Sequence, residues 1–387
     1  MSTLSKRPHE DPARGRRGAS VPAPDSPFGE AGIAAARRRG RGASTNDGGR
    51  FEPLKRVDTD DGWEVLDDLA PFARQVIDER ARHIITRNAS PDISFEQSIN
   101  PYQGCEHGCA YCFARPTHAY WGLSPGLDFE TRLFAKTNAA ELLEKELAAP
   151  GYKPKIIAIG TNTDPYQPIE RQRRIMRRVL EVLEAHSHPV AVLTKSALIA
   201  RDLDILSRMA GKGLAKAALS VTTLDHRLSR AMEPRAAAPQ RRIETIRLLA
   251  AAGIPTAVMV APVIPALNDG EIEKILMSAA AAGAREAGYI LLRLPLEVSA
   301  LFRQWLHEKM PERAGHVMSL LQDMRGGKDY DSSWGQRMRG QGPYAWMLGR
   351  RFELAAKRFG LNSKKVVLRT DLFACPRRGG EQLTLFA

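Results

Sequence analysis

GCEHGCAYC, residues 104–112, holds three of the four cysteines in a chain of 387 residues, spaced C-x3-C-x2-C. An extended lead-in, IITRNASPDISFEQSINPYQ, runs into it. After it come short aliphatic runs, each followed by a helix with apolar positions three and four apart. The runs are KIIAIG (155–160), VAVLT (190–194), AALSVT (217–222), TAVMVAPV (256–263) and YILLRL (289–294). With the lead-in they make six expected strands.

The helices between them read clearly. Residues 171–186 put Ile175, Val179, Val182 and Leu183 on one face, residues 199–210 do so with Ile199, Leu203 and Leu206, and residues 240–252 with Ile243, Ile246 and Leu249. In 270–283, Asn268 or Asp269 is the expected cap ahead of Ile272, Ile275 and Leu276, while Gly253 and Gly283 sit where helix C-terminal caps belong. Strand and helix alternating in this way imply a parallel sheet with right-handed crossovers. The pattern alone leaves open whether the sheet curls into an open barrel segment or is doubly wound. Either form gathers ligands at the carboxyl ends of its strands.

Composition narrows the class further. At 42.7 kDa and 43% hydrophobic, the chain can fill a sizeable core. No apolar run approaches the roughly 20 residues that span a bilayer, and MSTLSKRPHEDPARGRR has no signal-like apolar segment. A cytoplasmic location and no membrane partner are expected. Clustered thiols cannot staple distant parts of a large fold, so they fit a metal site in a reducing compartment better than a disulfide framework.

The net charge of +13 is unevenly placed. Residues 1–56 carry twelve Lys and Arg against six acids, and residues 350–387 carry nine against three, so the ends hold +12 of it. Any grip on phosphates is expected from these flanks; the bland alternative is that they only aid solubility. Residues 1–55, rich in Arg, Gly, Ala, Pro and Ser, are expected to form a disordered basic tail. Residues 56–310 are the expected α/β body, 311–372 a helical C-terminal extension broken at Arg325–Lys328, and 373–387 a flexible tail.

Three readings compete for Cys105, Cys109 and Cys112. A zinc site would need His107 or the distant Cys375 as fourth ligand. Three merely buried thiols would leave the spacing unexplained. An iron–sulfur cluster takes thiolates as natural ligands, and a 4Fe–4S cube on three of them keeps one iron open to a small molecule.

The C-x3-C-x2-C loop, with Tyr111 ahead of its last cysteine and a repeated strand–helix pattern after it, resembles the radical S-adenosylmethionine (SAM) superfamily. The wider context NPYQGCEHGCAYCFARPTHAYWGLSPGLDFETRLFAK, with GTNTDPYQPIE, VLTKS and MEPR following, is similar to the subgroup described as DNA repair photolyase-like, related to spore photoproduct lyase. The likeness covers about residues 85–310. It implies a partial (β/α)6 TIM-type barrel and a 4Fe–4S cluster on Cys105, Cys109 and Cys112. It also implies reductive cleavage of SAM to a 5′-deoxyadenosyl radical that abstracts hydrogen, with an electron donor such as flavodoxin or ferredoxin.

For SAM contacts, the resemblance points to Tyr111 beside the adenine and to Lys195 and Ser220 at the ends of apolar strands. Asp164 or Glu170, in GTNTDPYQPIE beside Thr163, is the expected acidic partner of the SAM amine, although the stretch departs from the usual G-G-E. Arg235 in MEPR is a candidate for the SAM carboxylate or a substrate phosphate. The related lyase's additional cysteine shortly after the cluster loop has no counterpart here, which puts spore photoproduct repair itself in doubt and leaves Cys375 without an expected role. QLTLF, Gln382–Phe386, resembles the peptide by which bacterial repair factors bind the DNA sliding clamp. The expected substrate is nucleic acid, with DNA lesion repair in view. The alternatives are radical modification of RNA, a peptide or a small metabolite, or a non-catalytic iron–sulfur protein.

Overall fold

A computed structural model describes residue 38, residues 40–52 and residues 72–376. Its strands are β1 (Gln75–Glu79), β2 (Ile85–Arg87), β3 (Gln97–Ile99), β4 (Tyr102–Gln103), β5 (Arg132–Lys136), β6 (Ile157–Ile159), β7 (Val190–Thr194), β8 (Ala215–Ser220), β9 (Thr256–Val263) and β10 (Glu286–Leu291). The main sheet runs β10-β9-β8-β7-β6-β3-β2. All its neighbours pair in parallel except β2 with β3.

That order settles what the hydrophobic pattern left open. From β3 to β10, each parallel strand lies beside the next one in the chain, whereas a doubly wound sheet reverses direction at a switch point. The sheet is a six-stranded parallel barrel segment, left open because β10 and β2 form its two edges. The cysteine loop leaves the barrel after β3. On the way it contributes β4 to a second, three-stranded sheet of order β1-β5-β4, which the sequence did not announce.

Apolar periodicity places the helices on the outer face. Ile175, Val179 and Leu183 of the helix Ile175–Ala185 are buried, as are Ile246 and Leu249 of Pro239–Ala251 and Ile272, Ile275 and Leu276 of Ile272–Ala281. Boundaries differ from the sequence reading where charges hide structure. β8 and β10 each begin earlier than their aliphatic runs because Lys216 and Glu286 pair at 3.0 Å across the sheet. The helix expected over 171–186 is split at Arg174, whose φ of 50° closes the short helix Glu170–Arg173.

The terminal segments also depart from expectation. Residues 40–52, inside the stretch expected to be disordered, pack on the body: Ala43 and Ser44 are buried, and the Gly42 and Ala43 amides donate to Glu130 at 2.9 and 2.8 Å. Phe373, at the start of the expected flexible tail, packs edge-on against His188, and the Ala374 amide donates to the His186 carbonyl at 3.1 Å. Gln382–Phe386 and residues 53–71 lie outside the described residues. The C-terminal extension is helical over Pro311–Asp323 and Gly342–Arg358, and the helix Glu297–Lys309 precedes it. Among the described residues, no helix is long and apolar enough to cross a membrane.

Candidate active site

The cysteine loop is pinned at its backbone by distant side chains. Gln167 accepts from the Glu106 amide at 2.9 Å and donates to the Gly104 carbonyl at 3.1 Å. Arg115 donates to the Cys109 carbonyl at 3.0 Å, and the Cys105 and Ala110 amides donate to the carbonyls of Phe129 and Met232. Arg115 is itself fully buried in an ion pair with Glu130, the same carboxylate that holds residues 42 and 43. Breaking such a pair leaves an uncompensated buried charge, so Glu130 couples the N-terminal strap to the loop. The approach is close: a Cβ on Gly42 would overlap the Gly108 carbonyl oxygen.

Cys105, Cys109 and Cys112 line one cavity of about 170 Å3 at the carboxyl ends of the barrel strands. Gly160 makes the turn out of β6 with φ of 90°, where a side chain would strike the Leu193 carbonyl, and so opens the cavity to residues 161–164. Thr163, Asp164, Lys195, Ser220 and Tyr111 share the wall, and Phe113 and Arg293 stand on it as well.

The polar end of the cavity is a single network. Lys195 Nζ donates to Ser220 Oγ at 2.6 Å, Thr222 Oγ1 at 3.3 Å and the Ala261 carbonyl at 3.1 Å, and pairs with Glu233 at 3.2 Å. Glu233 accepts from the Tyr111 hydroxyl and from Arg242. Burial pushes its carboxyl up, but Arg242 and Lys195 outweigh that and hold it below the usual carboxylate range. The same burial lifts the Tyr111 hydroxyl well above its ordinary value, helped by the Glu233 charge, so Tyr111 stays a neutral donor. Asp164 accepts from Thr194 Oγ1 at 2.6 Å and the Lys195 amide at 2.8 Å, and meets His107 Nδ1 at 3.4 Å.

The structure thus brings together Tyr111, Asp164, Lys195 and Ser220 with the three cysteines, and excludes two expected members. Glu170 is fully buried and does not line the cavity; it starts a helix and accepts from Arg201, Tyr102 and the Ile175 and Met176 amides. Arg235 pairs with Glu106 at 3.4 Å and lines a different cleft. Nor does Asn268 cap a helix: its amide clamps the Thr222 and Pro262 carbonyls. Asp269 instead accepts from the Tyr344 hydroxyl at 2.5 Å. Cys375 is exposed and does not line the cavity.

Sequence reasoning missed Glu233, Thr222 and Arg242. The signal was present in MEPR, where the acid beside Arg235 is the one that reaches the site.

The donor set fits a cluster better than one ion. Burial lifts all three thiols, so ionising them needs a positive partner of the kind iron supplies. A structural zinc takes four protein ligands, and Cys375 does not line the cavity, whereas three thiols around one space suit a cluster that keeps one iron open.

Comparison with known proteins agrees with this geometry. Residues 99–279 match the radical SAM superfamily model. An uncharacterized protein of Mycobacterium tuberculosis is 40% identical over 230 residues, 59% of this chain and 68% of its own length. Another, from Methanocaldococcus jannaschii, is 26% identical over 222 residues, 55% of this chain and 76% of its own. Among solved structures, spore photoproduct lyase complexed with dinucleoside spore photoproduct superposes with a TM-score of 0.54 at 16% identity, covering 74% of this chain and 80% of that one. A variant of the same lyase with bound AdoMet and dinucleoside spore photoproduct gives a TM-score of 0.50 at 16% identity over the same shares. The chain belongs to the radical SAM superfamily, whose enzymes use a 4Fe–4S cluster and SAM and need a reductant.

Proposed function

We propose that this enzyme cleaves SAM at a cluster held by Cys105, Cys109 and Cys112 and removes hydrogen from a nucleic acid, with a DNA lesion as the first candidate substrate. The observation that carries the SAM part is the meeting of three thiols and the Lys195–Ser220–Glu233 network in one cavity. When bound, the two cofactors supply reductive cleavage of the sulfonium to a 5′-deoxyadenosyl radical.

The chain's own residues position and shield. Lys195, held between Ser220 and Glu233, offers a fixed cation for the SAM carboxylate, and Asp164 offers an anion for its amine. Tyr111, anchored by its hydroxyl, presents an immobile ring to the adenine. The apolar wall of Leu193, Ile290 and the fully buried Leu292 keeps water away from a reactive centre.

The nucleic-acid part rests on the opposite wall and on kinship. Phe113 is 41% exposed, and the Arg293 guanidinium lies 4.9 Å from its ring centroid. A flat aromatic face beside a cation is what a base and its phosphate require. The basic termini add non-specific attraction, and Gln382–Phe386 is proposed to bind the sliding clamp and bring the enzyme to DNA in the cytoplasm.

The test is anaerobic reconstitution with iron and sulfide, then reductant and SAM, with 5′-deoxyadenosine as readout. Formation is expected, and irradiated DNA should change its rate at least severalfold. A preparation that holds one zinc and yields no 5′-deoxyadenosine would overturn the proposal. Indifference to both DNA and RNA would reject its nucleic-acid part, and an unaltered clamp pull-down after deleting Gln382–Phe386 its clamp part.

A further inference from the structure

A second cleft, of about 550 Å3, lies behind the cysteine loop among the turns that follow β6, β7 and β8. Arg171, Arg201, Arg235 and Arg241 line it, with Ser196, and among the described residues no acidic one does. The carboxylates that balance three of these arginines are set elsewhere. Glu106, 1% exposed, holds Arg235, while Glu170 and Asp202, each fully buried, hold Arg201 at 2.7 Å. Glu244 pairs with Arg241 at the surface. Buried acids behind arginines fix the guanidinium orientation and leave the cationic side facing the cleft.

The cleft and the cysteine-lined cavity share one wall residue, His107, which lines both. Its ring is 2% exposed and is held by Asp164. A partner seated in the cleft is therefore separated from the cysteine-lined cavity by the His107 side chain.

We propose that this arginine cleft docks the protein that delivers the reducing electron, an acidic one-electron carrier of low potential. The proposal rests on the radical SAM reading, since only such a site needs that electron. In the step, the carrier loses one electron and the cluster gains it, with no atom transferred. Electron transfer weakens steeply with distance, so a dock sharing a wall with the cluster cavity is where delivery is effective. Cationic complementarity also speeds encounter with an acidic partner. Nucleic acid is the poorer occupant, because a strand seated here would have His107 and the cysteine loop between its sugars and the cavity.

The test uses the reconstituted full chain, with flavodoxin as probe and the variant Arg171→Glu/Arg241→Glu. Both side chains are exposed and lie outside the cysteine-lined cavity. Flavodoxin affinity, measured by biolayer interferometry, should fall at least tenfold in the variant, and wild-type affinity should fall with added salt. 5′-Deoxyadenosine formation should fall at least tenfold when NADPH, reductase and flavodoxin supply the electron, and stay unchanged with dithionite.

Equal flavodoxin affinity in variant and wild type overturns the dock, as does an equal loss with dithionite. Retained flavodoxin binding alongside lost binding of a DNA oligonucleotide overturns it in favour of nucleic acid. Wild-type protein inactive with dithionite sinks the radical SAM reading instead, and the interferometry still decides the dock.

Discussion

Lys195 Nζ stands 3.2 Å from Glu233 Oε1, and the other oxygen of that carboxylate is held by Arg242. One buried anion therefore lies between two cations, and it also receives the Tyr111 hydroxyl. Replacing it by Glu233→Gln leaves Lys195 and Arg242 facing each other with little water to screen them. The expected loss is about 3–5 kcal/mol of stability, the cost of breaking a buried pair, read by urea unfolding. Lys195→Met, by contrast, should cost SAM affinity in equilibrium binding more than it costs stability. A loss below about 1 kcal/mol for Glu233→Gln would show that the network is not organised around that carboxylate.

The strap over the cysteine loop gives a steric test. Gly42→Ala would drive a methyl group into the Gly108 carbonyl and pull the 42 and 43 amides off Glu130. Overpacking of this kind costs about 1–3 kcal/mol. It should also lower iron content after reconstitution and expose residues 40–52 to protease. Gly211→Ala, with open space around its Cβ, should be neutral or stabilise by about 0.4–1 kcal/mol. Matching behaviour of the two variants would rule out a close-packed strap.

The parallel strand–helix alternation was legible because its strands are aliphatic runs between amphipathic helices, a pattern that survives without knowledge of partners, whereas the barrel form was implied only by the family resemblance. The start of β8 was not legible, because Lys216 looks like a loop residue until Glu286 is found opposite it. The cavity's cysteines were legible from loop spacing, Asp164, Lys195 and Ser220 from their places at strand ends, and Tyr111 only through the family resemblance. Glu170 misled, because an acid beside a turn serves a helix start as readily as a ligand, and only its hydrogen bonds to the Ile175 and Met176 amides separate the two. Glu233 and the strap were hidden for a common reason: their value comes from contacts across more than 80 positions of chain, Gly42 with Glu130 and Tyr111 with Glu233.

The four cysteines should divide cleanly. Alanine at Cys105, Cys109 or Cys112 removes one thiol from the shared cavity and should cut bound iron by at least half in anaerobic reconstitution. Cys375 lies outside the cavity and, among the described residues, makes a long contact to the Leu147 carbonyl at 3.5 Å. Cys375→Ala should keep both iron content and 5′-deoxyadenosine yield. Loss of iron in that variant would mean that a fourth thiol reaches the cluster, which would close the position SAM needs.

A pH effect on stability is expected from a group remote from the cysteines. His188 is fully buried; one ring nitrogen meets the Pro189 carbonyl at 3.1 Å and the other meets the Tyr152 hydroxyl at 2.9 Å. A carbonyl only accepts, so Nδ1 carries the proton in the neutral ring, while the Tyr152 hydroxyl beside Nε2 also lies 2.9 Å from Gln97 Oε1. Burial pushes the ring's pKa down to about 4 from its ordinary 6.5. Between these values the unfolded chain binds a proton that the folded chain refuses, so stability is intact above pH 6.5 and declines as pH falls toward 4. The full decline amounts to roughly 3 kcal/mol. His188→Gln has no titrating ring, so the gap between wild type and variant in urea unfolding should narrow on acidification over that window. A constant gap from pH 7.5 to about 4.5 would mean that the buried ring takes up its proton as readily as a solvated one.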